Sequence, residues 1–287
     1  MYLLNYKTNK IVKKAIVDNV IKSPSKNFVK SLWKDSKERL WIGYWGIGLA
    51  RLDLVSGEVK NWLNSADDEH SLSYDDVWII FEDHSGRIWI GTNGGGLNYF
   101  NESDEKFIRI NSTSSAKYKL SSNSIYSITE SFLEQDKEGK SVLWLGTSNG
   151  LNKITIERSS ANPGHPFKIN DITIYTTKDG LADNSIKSIV EDDNGNLWLG
   201  TSSGITLFDI LNNTFTNFTA SDGLNGIDFN LVSSLKIDSS FILMGSIEGL
   251  NIFNPNQIKQ SSYIPQIAIN DFQIFNNSIT ANVNSVL

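Results

Sequence analysis

The chain has no cysteine, and its 287 residues include only 5 Pro, 3 His and 2 Met. Without cysteine there is no disulfide framework, no thiolate nucleophile and no Cys-ligated zinc, although a chain of this size can be stable in an oxidising compartment without them. A basic surplus is missing too. Lys and Arg number 26 against 32 Asp and Glu, a formal net charge of −6, so little is available to neutralise a phosphate backbone and nucleic acid is not an expected partner. No run approaches the roughly 20 apolar residues of a membrane span, so no membrane contact is expected within the chain. The first residues, Met1-Tyr2-Leu3-Leu4-Asn5-Tyr6-Lys7, lack the basic-then-apolar layout of a signal peptide, which suggests either a cytosolic protein or a piece of a longer one. What is plentiful is aromatic and small: 14 Phe, 9 Tyr, 8 Trp and 21 Gly suit many short strands joined by tight turns.

Self-similarity is the main signal. Leu40-Trp41-Ile42-Gly43 recurs as Ile88-Trp89-Ile90-Gly91, Leu143-Trp144-Leu145-Gly146 and Leu197-Trp198-Leu199-Gly200, with a degenerate fifth copy at Ile242-Leu243-Met244-Gly245. The period of about fifty is that of β-propeller blades. In the fourth copy, 184–192 alternates like a strand and Asp193-Asn194-Gly195-Asn196 carries a hairpin signal. Strands at 197–201, 205–209 and 214–218 complete an antiparallel four-stranded meander. Such a unit cannot bury both faces alone, so neighbours must stack and the four Trp must fill the core between blades. Gly48, Gly96, Gly150, Gly204 and Gly249, which open the third strand of each copy, are read as scaffold positions needing positive φ or close backbone approach.

Departures from the repeat carry expectations of their own. Glu38 stands where the other hairpins have Gly86 and Gly195, the third copy has a longer hairpin over 134–141, and the fifth lacks its Trp and should pack least well. Residues 1–22 read as the last two strands of a partial blade, 23–258 as five blades of an all-β propeller belonging to a seven-bladed ring, and 259–287 as a linker and the first strand of a β-sandwich.

The segments Asp83-x-x-Gly86-x-Ile-Trp-Ile-Gly-Thr92 and Asp192-x-x-Gly195-x-Leu-Trp-Leu-Gly-Thr201, with the Asp-Gly-Leu lead-ins at 179–181 and 222–224, closely resemble the two-component regulator propeller repeat. Residues 265–279 resemble the start of the immunoglobulin-like domain that follows such propellers. The resemblance implies the periplasmic sensor of a hybrid two-component histidine kinase of the Bacteroidetes. That sensor would bind an oligosaccharide and signal as a homodimer to a kinase absent from this chain.

Propellers bind ligands at one channel mouth, on the loops joining blades and on the turns between second and third strands. Here these are about 64–75, 111–122, 176–184 and 219–228, with the turns near Trp45, Gly94, Asn149, Ser203 and Glu248. One position of the innermost strand holds Lys30, Trp78, Tyr126, Lys187 and Ser233 in successive copies, while the next-but-one position is aliphatic. The candidate ligand-binding residues are therefore Trp45, Trp78, Tyr126, Lys30, Lys187 and His70. Trp45 is an added aromatic in a turn that is elsewhere small and polar, and a sugar ring stacks well on an exposed indole. The plainer reading of the inner-strand positions is that they fill uneven gaps between blades. That of the acidic cluster Asp67-Asp68-Glu69-His70 is a solvated loop.

No cofactor and no metal are expected. Asp192-Asp193-Asn194-Gly195-Asn196 has the wrong spacing for an EF-hand and no closing Glu, so it is read as a turn. The repeat also resembles streptogramin-lyase-type propellers, which keeps a lyase or hydrolase as the rival reading and a protein-docking scaffold as a third. A hydrolytic site would need a general base at the mouth. Of the three histidines only His70 maps there, His84 and His165 falling at the opposite end, so an enzyme is not expected.

Overall fold

The computed structural model describes residues 2–5, 10–14, 28–113, 118–133, 140–158, 167–238, 240–258, 273–274 and 277–278. The chain divides into two compact units, Met1–Pro255 and Asn256–Leu287. The first opens with a hairpin in which β1 (Tyr2–Asn5) pairs antiparallel with β2 (Lys10–Lys14). Four complete blades follow: β3 to β6 (Val29–Lys34, Arg39–Tyr44, Leu49–Asp53, Val59–Trp62), β7 to β10 (Val77–Glu82, Ile88–Thr92, Leu97–Asn101, Lys106–Ile110), β11 to β14 (Ile125–Glu130, Lys140–Thr147, Gly150–Arg158, Phe167–Tyr175) and β15 to β18 (Ile186–Glu191, Leu197–Thr201, Gly204–Asp209, Thr214–Phe218). The fifth blade shows three strands among the described residues, β19 to β21 (Phe229–Ile237, Phe241–Ser246, Gly249–Phe253). In the second unit β22 (Gln273–Ile274) pairs with β23 (Asn277–Ser278). Most of the strand expected over 265–276 lies outside the described residues.

The propeller follows from strands that are apolar on both faces. Every residue of β8 and of β16 is buried, because each second strand is covered by its own blade's neighbours on either side. Trp41, Trp89, Trp144 and Trp198 are at most 2% exposed, and each meets an aromatic of the following blade. The partners are Phe100 at 5.1 Å, Phe167 at 5.1 Å, Phe208 at 5.8 Å and Phe253 at 4.7 Å between ring centroids. Gly43 sits where a Cβ would fall 2.3 Å from Ser31 Oγ and 2.6 Å from the Val77 side chain, so the glycine after each Trp lets the innermost strands close up.

Three of the four Trp are clasped by a buried carboxylate. Asp83 Oδ2 accepts from Trp89 Nε1 at 2.8 Å and Arg87 Nε at 2.6 Å, while its Oδ1 accepts from the amides of Ser85 and Arg87. Asp35 makes the same set with Trp41, Lys37 and Arg39. Asp192 does so with Trp198, Asn194 and Asn196. The third blade has Ser131 at this place, and Trp144 Nε1 finds no hydrogen-bond partner among the described residues. Residues 134–139 of its longer hairpin are outside those described.

Blades are latched to one another at both ends. At the hairpin end the amides of Ser36, His84 and Phe132 donate to Glu82, Glu130 and Glu191 of the next blade, at 2.8, 2.8 and 3.0 Å, and Lys236 pairs with Asp193 across the fourth joint. At the other end Gly48, Gly96, Gly150 and Gly204 donate backbone N–H groups to the following lead-in loops at 2.6–2.8 Å. Each of these glycines has positive φ, as expected from the sequence. The fifth blade packs least, also as expected. Leu231, Val232, Leu235, Ile237, Phe241, Leu250 and Ile252 are exposed, and Phe229, Ile242 and Met244 are its buried apolar side chains among the described residues.

Glu38 adopts φ +58° where Gly86 and Gly195 have +77° and +80°, a region that costs a residue with a Cβ about 1–2 kcal/mol. Glycine gives back part of that through its freer unfolded chain. Glu38→Gly is therefore expected to raise the thermal midpoint by about 1–3 °C. A lower midpoint would mean that the exposed Lys34–Glu38 pair, at 2.7 Å, outweighs the strain.

Burial opposes ionisation of Asp35, but the Trp41 indole, the Arg39 amide and the Arg39 guanidinium outweigh it and hold the carboxyl below the usual range. Burial likewise opposes ionisation of Glu102, and Lys37 and Arg39 outweigh it. A depressed folded-state pKa contributes stability that is fully present above the unfolded value, about 3.9 for Asp and 4.3 for Glu, and is lost as pH falls through the folded value. The midpoint should thus fall as pH drops below about 4.5. Asp35→Asn combined with Glu102→Gln should lower it at pH 7 and flatten the acid slope, and an unchanged slope would refute this assignment.

Candidate ligand site at the channel mouth

The innermost strand of each complete blade carries a β-bulge. Pairing shifts between Val29 and Ser31, Val77 and Ile79, Ile125 and Ser127, and Ile186 and Ser188. The added residue is Lys30, Trp78, Tyr126 or Lys187, and a bulge re-aims the side chain it carries. The inner-strand candidates are thus one structural position repeated around the channel.

Over the first three blades these positions form a continuous band. Lys30 Nζ lies 4.8 Å from the Trp45 ring and 5.7 Å from the Trp78 ring. Trp78 stacks on Tyr126 with centroids 5.1 Å apart and planes at 22°. Phe28, which the sequence reading did not single out, lies 6.1 Å from Trp45. Trp45 is 56% exposed, while Trp78 and Tyr126 are half-buried. Tyr74, also exposed, lies against the bare backbone of Gly94, where a Cβ would be 3.5 Å from its ring. An open indole beside an ammonium and a second pair of stacked rings can hold a flat, partly apolar, hydroxyl-bearing ligand.

The other candidates are placed differently. Lys187 forms an ion pair with Asp228 of the next blade. His70 sits beside the outermost strand of its blade, where its carbonyl accepts from the Phe107 amide at 2.8 Å. Its imidazole is 3.7 Å from the exposed Glu69 carboxylate. The acidic loop is held by its own turn and by Arg109, which donates to the Asp68 and Ser71 carbonyls. The expected equivalence of Ser233 with Lys30 does not hold. In the fifth blade Phe229 pairs with Ser246 and Ser234 with Met244, and Ser233 faces Gly245. Residues 230–232 therefore occupy the bulge, with Val232 at φ +55°, and three residues replace one.

Asp192, in the segment with a passing likeness to a calcium loop, has its carboxylate engaged by the Trp198 indole and its own hairpin. His84 bonds through Nδ1 to Glu130 at 2.5 Å at the hairpin end, and His165 lies outside the described residues. At that end a cavity of about 690 Å³ opens among the ends of β11, β15 and β19, lined by Glu130, Phe132, Glu191 and Leu235 among others. Its glutamates are committed to latching blades.

The sequence profile of the two-component regulator propeller family matches residues 71–94 and 180–203. A histidine kinase of Formosa agariphila is 25% identical over 291 aligned positions, covering 88% of this chain and 20% of that protein. Among solved structures, the extracellular domain of a hybrid two-component system of B. thetaiotaomicron superposes with a TM-score of 0.64 at 25% identity, over 88% of this chain and 29% of that one. A second such domain from the same organism gives 0.63 at 22% identity, over 84% and 31%. The chain thus spans about a fifth of the kinase and under a third of the extracellular domains. The two matched segments each run from a lead-in loop through the first two strands of a blade, β7–β8 and β15–β16, so these two blades are similar to the two-component regulator propeller repeat.

Proposed function

We propose that the chain is the ligand-sensing part of a hybrid two-component regulator, acts in the periplasm, and binds an oligosaccharide at the channel mouth without altering it. The observation that carries this reading is the half-exposed Trp45 indole, set on the turn between β4 and β5 beside Lys30 and the Trp78–Tyr126 stack. The C–H face of a pyranose meets the negative face of an indole, and an ammonium beside it donates to ring and hydroxyl oxygens. The likeness to a histidine kinase and to extracellular domains of two-component systems supports a sensing role. The occupied sensor passes its state, as a homodimer of a longer protein, to a kinase outside this chain.

Isothermal titration against plant, host and microbial oligosaccharides, with product analysis of each mixture, tests the proposal. One glycan class should bind saturably and be recovered intact. Trp45→Ala should weaken that binding about tenfold, the loss of about 1.4 kcal/mol of stacking, while moving the thermal midpoint by no more than about 2 °C, as a half-exposed side chain should. A cleaved sugar would replace the sensor with an enzyme, and a panel without saturable binding would favour a protein-docking scaffold.

A further inference from the structure

Asp76, immediately before β7, is 5% exposed. Its Oδ2 accepts from Asn93 Nδ2 at 3.1 Å, but its Oδ1 is buried with no hydrogen-bond partner among the described residues. A carboxylate oxygen shut away from water and left unpaired is costly. The neighbouring Asp75 is engaged differently, its Oδ1 accepting the Asn64 amide at 2.6 Å.

The fold shows what such a carboxylate is placed to receive. Asp228 stands before β19 as Asp76 stands before β7. The backbone carbonyl of each accepts an amide from its own blade's turn, Asn93 and Ile247 respectively, both at 2.9 Å. Lys187, the bulge residue of the preceding blade, puts its ammonium on Asp228. The bulge residue that precedes Asp76 is Lys30. Its ammonium is instead on the Trp45 and Trp78 rings. The same lysine-to-aspartate step between adjacent blades is thus closed at one joint and open at the other.

We propose that Asp76 is the alternative seat of the Lys30 ammonium, and that a ligand ring stacking on Trp45 displaces Lys30 onto it. Lys30 lies against the half-exposed indole in the free protein, and the ion pair with Asp76 offsets the loss of that cation–π contact. The ligand-dependent half of this rests on the oligosaccharide reading above, while the two seats of Lys30 do not.

The two are tested separately. Asp76→Asn keeps the acceptor for Asn93 and removes the charge. In the otherwise unchanged protein, whose Lys30 lies elsewhere, it should leave the thermal midpoint unchanged or raise it. In the Trp45→Ala background, where Lys30 has lost its nearer ring and moves to Asp76, the same substitution should lower the midpoint by about 2–4 °C. An equal shift in both backgrounds overturns the proposal, since Asp76 would then be paired in both or in neither. For an oligosaccharide that the unaltered protein binds, Asp76→Asn should weaken binding about tenfold, and undiminished affinity overturns the displacement step. If no oligosaccharide binds, the sensor reading falls while the two midpoint shifts still decide whether Lys30 has a second seat.

Discussion

A carboxylate buried against an indole sets the geometry of the blades. Asp35, Asp83 and Asp192 each lie one residue beyond an innermost strand and collect the N–H groups of the hairpin that follows, together with the Trp of the second strand. A buried charge is tolerable only when such donors surround it, so the hairpin has to close in one conformation for the aspartate to be satisfied. That conformation orients the Trp ring, and the ring is what the next blade packs on. One interaction therefore joins the turn, the strand pair and the interface between blades. Where it is missing the contact has no substitute: the third hairpin is longer and the Trp144 nitrogen has no hydrogen-bond partner among the described residues, and the fifth copy has Leu243 in place of Trp.

Much of this was legible because the repeat reports on packing. Trp, Gly and the turn dipeptides are large or conformationally special, so their recurrence fixes strand order, and the fourth copy matches its observed strands to within two residues. The aspartate of the motif was legible as a letter and not as an interaction, since its partners are amides that every residue has. Asn98 and Asn152 escaped attention for a similar reason. Each is fully buried and clamps a lead-in loop, accepting from the amides of Ser73 and Ser121; the recurrence of Gly-Leu-Asn at 96–98, 150–152 and 249–251 marked the position, but an apolar reading of the strand passes over a polar residue within it. The fifth-blade register was misjudged because a wide bulge adds residues without altering the alternation on either side of it. His70 lies in the loop that the sequence indicates, with its carbonyl against the outermost strand β10, a depth that sequence alone does not give.

The two ends of the propeller solve the same joining problem with different atoms, and the difference explains where recognition can evolve. At the hairpin end the latch is a side chain, with Glu82, Glu130 and Glu191 each spent on the preceding blade's amides. Replacing any of them would expose a joint, so those positions are not free to vary with a ligand. At the mouth the latch is main chain to main chain, from the turn glycines to the carbonyls of the next lead-in. Side chains add to it at single joints, as Lys187 does with Asp228, but the contact common to the joints is backbone. The bulge residue next to each of these backbone latches can be a lysine, a tryptophan or a tyrosine without loosening the ring, and in this chain it is all three. A joint made by backbone amides, with a bulge side chain of varying chemistry beside it in each complete blade, lets the scaffold keep its blades together while the surface it presents to a ligand changes.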